Sequence, residues 1–143
     1  MILFDTDMLS IAQSPDRPES QRLRARIAAI PVDEIVGTTI VTYEEQTRGW
    51  LAYMAGARTL DAQLEAYRRL LQHLDNFRQI YVVPFDRPAA THFETLIAAK
   101  LRIGTKDLRI ASIALARNAL LLSRNLQHFQ KVPGLRLEDW TTP

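Results

Sequence analysis

The chain has no cysteine. That absence removes a disulfide framework, a thiolate zinc centre and a cysteine nucleophile together, and it suits the reducing cytosol. Long apolar runs are missing too. Nothing approaches the roughly 18 consecutive apolar residues of a membrane helix, and the first residues lack the basic-then-apolar pattern of a secretory signal. A cytoplasmic protein with no membrane partner is expected. Glycine is scarce, at five in 143 residues, and no internal repeat, linker or low-complexity segment divides the chain. Lysine is nearly absent among the basic residues: only Lys100, Lys106 and Lys131 stand against a total of 18 Lys and Arg. The positive charge is therefore carried by arginine, whose planar five-donor fork suits phosphates and carboxylates.

With 47% hydrophobic and 24% charged residues, the composition is that of a globular domain. Its length is enough to bury a core without staples, so residues 1–143 are read as one domain. The net charge of +2 is small for a pI near 9.2. Local basic patches fit this better than a uniformly basic surface.

The chain then reads as alternating short apolar strands and amphipathic helices. Ile2–Phe4 is the first strand, followed by a helix from Thr6 to about Gln13 and an Arg-rich one from about Glu19 to Ile30. The β-branched run Val36–Val41 is the second strand. Thr42 then suits a helix N-cap, with Glu45 at capping-box spacing. That helix runs to about Ala57, and a longer one from about Leu60 to Phe77 carries Leu64, Tyr67, Leu71 and Leu74 on one face. The two together form an excursion suited to an arm or a dimer surface. Tyr81–Val83 is a third strand, and Asp86-Arg87-Pro88 starts a helix with Pro in its first turn. Asp107 to Arg117 is helical, Ala119–Leu122 is a fourth strand, and Leu135–Leu137 is an edge strand. Strands apolar on both sides and separated by helices predict an α/β/α three-layer sandwich on a mostly parallel sheet of four to five strands.

Such sheets bind ligands beyond the carboxyl ends of their strands, where the strand order reverses. The oxygen-bearing residues fall there. Asp5, Thr6 and Asp7 follow strand one, Thr42 and Glu45 follow strand two, and Ser123 and Asn125 follow strand four. Asp107 opens the helix leading into strand four. Two carboxylates about 4 Å apart repel by roughly 4 kcal/mol at an effective dielectric near 20, so such a cluster protonates or holds a cation. With no Cys and no His in the pattern, Mg²⁺ or Mn²⁺ fits better than zinc. Carboxylate-held hard cations serve phosphoryl chemistry. Each residue alone also has a plainer reading: Asp5 or Asn125 as a turn residue, Glu45 as a capping acid, Asp107 as a complement to the helix dipole. Their shared placement is what singles them out.

The stretches ILFDTDMLS, VTYEEQTRGWLA and IGTKDLRIASIALARNALLLSRNLQHFQKVPGLRLEDW together resemble the PIN-domain ribonucleases, in particular VapC-type toxins of bacterial toxin–antitoxin pairs. The resemblance spans nearly the whole chain in order. It implies a small α/β/α nuclease that cuts RNA with Mg²⁺ or Mn²⁺, is neutralised by a cognate antitoxin and is commonly a homodimer. By motif, Asp5, Glu45 (rather than Glu44) and Asp107 correspond to the acidic metal ligands, and Asn125 to a fourth position that holds Asp or Asn, with Ser123 two residues before it. Asp7, Thr6 and Ser123 are supporting residues. Arg48, Lys106 and Arg124 flank the acids and are candidates for gripping RNA phosphates. His128 departs from the pattern, since many relatives carry an acid there, and reads as a surface residue or one that supports the acids from behind, rather than as a general base.

Two other functions fit parts of this pattern. FDTD resembles the nucleophile motif of haloacid-dehalogenase-type phosphatases, but SRNLQHF lacks the acidic pair that family needs after strand four. A binding module with the nuclease fold and weak or lost chemistry is the other alternative.

Overall fold

Four strands built almost wholly from apolar or β-branched residues pair side by side, and a fifth, mixed strand closes one edge. The computed structural model describes residues 1–143. The elements are β1 (Ile2–Phe4), α1 (Thr6–Ala12), α2 (Pro18–Ala28), β2 (Val36–Thr39), α3 (Ile40–Ala55), α4 (Leu60–Arg78), β3 (Tyr81–Val83), α5 (Arg87–Ala98), α6 (Thr105–Ala116), β4 (Leu120–Leu122), α7 (Leu126–Phe129) and β5 (Arg136–Glu138). The sheet has the order β3-β2-β1-β4-β5, and every neighbouring pair is parallel. The expected three-layer architecture is present.

Side-chain alternation along the strands builds two cores. Leu3, Val83 and Leu121 join buried residues of α5 and α6, such as Leu96, Ile110 and Ile113, on one face. Ile2, Phe4 and Leu122 meet Met8, Leu9, Ile11, Leu23 and Phe77 of α1, α2 and α4 on the other. An ion pair of 2.7 Å between Arg117, after α6, and Asp86, before α5, fastens the two helices antiparallel. Asp86 also caps α5 by accepting from Ala89 N–H at 3.2 Å.

Two sequence expectations need correction. The second strand stops at Thr39, and Ile40 and Val41 already belong to α3. Thr39, not Thr42, is the N-cap, accepting from Thr42 N–H at 3.2 Å. Apolar β-branched residues at the start of a helix read as strand when sequence is the only guide. Glu45 is thereby moved beyond the first turn and has no capping role. The second correction concerns α4. Its buried residues are Ala66, His73 and Phe77, whereas Leu64, Tyr67, Leu71 and Leu74, together with Leu60, are 43–71% exposed. The helix thus has two apolar stripes, and the more conspicuous one faces outward.

Candidate active site

The chain runs outward from β1 through β2 to β3 and then returns to β4, so strand order reverses between β1 and β4. A crevice opens beyond their carboxyl ends at such a point. Asp5 leaves β1 there, its N–H donating to Leu122 O of β4 at 3.1 Å. The same residue caps α1: its Oδ1 accepts from Met8 N–H at 2.8 Å. Asp5 is only 6% exposed. Burial pushes its carboxyl up to about 6, against the pull of Ser123 and Met8 N–H, and the charges of Asp7 and Asp107 add to the rise.

Asp107 sits in the first turn of α6, where a negative charge complements the helix dipole. Its carboxyl is also raised, chiefly by burial and then by the charge of Glu45, while His128 and Asn125 oppose the shift. Asn125 Nδ2 reaches Asp107 Oδ2 at 3.4 Å. Asn125 N–H donates to the buried Ser123 hydroxyl at 2.9 Å, which shapes the turn after β4.

Glu45 comes from α3. Thr6 Oγ1 donates to its Oε1 at 2.6 Å and lies 3.2 Å from Thr42 Oγ1. Thr42 Oγ1 is in turn 3.4 Å from Thr39 Oγ1. This chain of threonine hydroxyls, two of them fully buried, joins β2, α3 and α1 beneath the acids. Sequence reading found Thr6 and Thr42 but missed Thr39, although a strand ending in paired threonines before a helix was a usable signal.

Asp7 points elsewhere. It receives Arg124 as a fork, Nε to Oδ2 at 2.6 Å and Nη2 to Oδ1 at 3.3 Å. Lys106 and Arg48 both pair with Glu44, the latter at 2.9 Å. All three flanking cations are therefore already engaged with carboxylates. Exposed pairs of this kind are worth under about 1 kcal/mol and exchange readily for a phosphate.

The donors that meet at this rim are all oxygens, and burial with mutual charge holds two of the carboxyls high, an arrangement that a hard cation relieves. No three His, Asp or Glu side chains stand together as ready direct ligands of one ion. Glu45 is drawn to Thr6, and Asp107 to Asn125. The arrangement therefore suits a cation that takes one or two carboxylates directly and keeps several waters, as Mg²⁺ does, and not one that needs a full protein cage.

The PIN domain family model matches residues 2–135. The chain belongs to the PIN domain family. Among relatives of this PIN domain, the tRNA(fMet)-specific endonuclease VapC of Salmonella typhimurium is 35% identical over 66 residues, 43% of this chain and 50% of that protein. Ribonuclease VapC1 of Haemophilus influenzae strain R2866 is 28% identical over 116 residues, 78% of each chain. The match to the Salmonella protein thus spans half of that relative's length. The toxin–antitoxin assembly VapBC2 from Rickettsia felis, solved on a promoter DNA fragment, contains a chain of the same fold. It superposes with a TM-score of 0.74 at 21% identity, covering 98% of this chain and 99% of that one. VapBC-1 from nontypeable Haemophilus influenzae follows at a TM-score of 0.68 and 23% identity.

Proposed function

We propose that this PIN domain is an endoribonuclease toxin that hydrolyses RNA phosphodiesters with Mg²⁺ or Mn²⁺ and is neutralised by a cognate antitoxin. The observation that carries this reading is the pair of carboxyls, Asp5 and Asp107, raised by burial at the strand-reversal crevice, with the charge of Asp107 acting on Asp5 and that of Glu45 on Asp107. Ribonuclease names among the relatives and toxin–antitoxin assemblies among the structural neighbours support it.

Asp5 and Asp107 are the direct metal ligands in this reading, and Glu45, steadied by Thr6, acts through water. An ion held there would supply positive charge against the phosphodiester and lower the pKa of a water. Glu45 would orient the attacking water in line with phosphorus. Asn125, fixed in the turn after β4 by its N–H bond to the buried Ser123 hydroxyl, keeps its amide oxygen to hold the attacking water. Arg48, Lys106 and Arg124 leave their surface carboxylates to take flanking phosphates. The products expected are 5′-phosphate and 3′-hydroxyl ends.

Total RNA incubated with the purified protein tests the reading. Cleavage is expected with Mg²⁺ or Mn²⁺ and not with chelator. Asp107→Ala should lose at least a hundredfold in rate, the scale of removing a group that stabilises transition-state charge. Equal cutting by the variant, or none by wild type with either metal, would defeat the proposal.

The outward stripe of α4, Leu60, Leu64, Tyr67, Leu71 and Leu74, with Leu51 and Tyr53 of α3 exposed on the neighbouring helix, supports protein partners: a second copy and the antitoxin. A contiguous exposed apolar surface of this kind marks an interaction site. Leu71→Glu is expected to shift light-scattering mass from dimer to monomer, or to lose the co-expressed antitoxin, with an unchanged far-ultraviolet circular-dichroism spectrum. An unaltered mass together with an intact antitoxin complex would remove α4 from the interface.

A further inference from the structure

The turn after β4 holds an imidazole that the mechanism above does not use. His128 is exposed, and its Nδ1 lies 2.9 Å from Asn125 Nδ2. The same Asn125 nitrogen faces Asp107 Oδ2 at 3.4 Å. An ionised carboxylate only accepts hydrogen bonds, so the Asn125 atom turned to Asp107 is the amide nitrogen and not the oxygen. A nitrogen that donates to a ring nitrogen requires that ring nitrogen to be unprotonated. Asp107 therefore sets the Asn125 amide, and the amide sets the imidazole: Nδ1 accepts, and the ring proton sits on Nε2.

That Nε2–H has no partner within the protein, while its neighbours are otherwise satisfied. Arg124 is bound to Asp7, and Lys106 and Arg48 are bound to Glu44. An anion arriving at this rim must share any of those three cations with the carboxylate already bound to it, or displace that carboxylate. The Nε2–H of His128 is shared with none. An outward N–H donor calls for an acceptor, and the acceptor that the proposed reaction brings beside Asp107 is a phosphodiester oxygen.

We propose that His128 contacts the substrate, donating Nε2–H to a phosphate oxygen of RNA bound at the strand-reversal crevice, with Asn125 holding the ring in the required tautomer. This rests on the ribonuclease reading and adds a residue to it.

The test uses a fluorescently labelled RNA hairpin and anisotropy at pH 8 in chelator, so that affinity is read without cleavage. His128→Ala should bind about tenfold more weakly, the scale of one hydrogen bond to a charged group. His128→Gln places an amide nitrogen where Nε2 was and should stay within about threefold of wild type by the same scale. His128→Asn reproduces only the Nδ1 position and should be as weak as His128→Ala. Long-range ¹H–¹⁵N spectra of wild type should show the proton on Nε2, and Asn125→Ala should lose that single tautomer. Wild-type affinity in His128→Ala, equal affinity of the Gln and Asn variants, or a proton on Nδ1 would each overturn the assignment. In those cases wild type still binds the hairpin and cuts it with Mg²⁺. A wild type that does neither defeats the ribonuclease reading itself, and this one with it.

Discussion

Asp5→Asn is expected to make the metal-free protein more stable and to abolish RNA cleavage. The carboxyl of Asp5 titrates at about 6 in the folded chain, above the reference value of 3.8, so the native state holds its proton more tightly than the unfolded state does. Below about pH 4 the residue is protonated in both states, and burial of a charge costs nothing. The penalty grows as pH rises from about 4 to 6 and is complete above that window. A gap of about two units corresponds to about 3 kcal/mol, an upper bound on what the neutral amide recovers. Asn keeps an oxygen for Met8 N–H and is itself a good N-cap, so the start of α1 survives the change. Urea unfolding in chelator at pH 7.5 should show the variant more stable by up to about 3 kcal/mol, and at pH 4 the two proteins should converge. Added Mg²⁺ should narrow the gap at pH 7.5, because an ion that binds only the native wild type stabilises it by mass action. A variant less stable than wild type at pH 7.5 would refute the claim that Asp5 is held charged against its folding preference.

Gly37→Ala carries the second large effect, and it is purely structural. Gly37 lies in β2 opposite Tyr81 of β3. A Cβ built there would stand 2.2 Å from Tyr81 O and 3.1 Å from Tyr81 C. Those are backbone atoms of a paired strand, so a side-chain rotation does not relieve the clash. Either β3 moves off the sheet or β2 shifts, and β2 ends in the Thr39 that caps α3 and sets Glu45. Overpacking of this kind costs about 1–3 kcal/mol, and the figure belongs at the upper end because backbone must yield. Circular-dichroism melts should show Gly37→Ala lower by several degrees, with residual RNA cleavage tracking the folded fraction. A variant as stable as wild type would show that β3 yields at this pairing without cost.

Both predictions depend on residues the sequence exposes unevenly. Asp5 was readable from one line of chain, because an acid at the end of a three-residue apolar strand has few structural reasons to be there. Asp107 and Asn125 were readable from the alternation of strands and helices. Gly37 was not, since its requirement comes from a strand more than 40 positions away. Nor was the cap at Thr39: residues 38–41 have the same β-branched character throughout, and only pairing with β1 and β3 decides where strand ends and helix begins. The stripe Leu64–Leu74 was found by its period, but period reports that a face is apolar and not what covers it. The sheet claimed the other face of α4 through Phe77.

Sequence alone determined the order of elements, the parallel sheet and the places of Asp5 after a strand and Asp107 at a helix start, because each of these follows from local periodicity and the rule that ligands gather beyond strand ends. Tertiary structure alone decided the pairings among polar groups: Thr6 on Glu45, Arg124 on Asp7, Lys106 on Glu44, Asn125 between Asp107 and His128. Hydrogen bonds depend on distances of about 3 Å between side chains that lie up to 117 residues apart, and such distances exist only once the layers have packed.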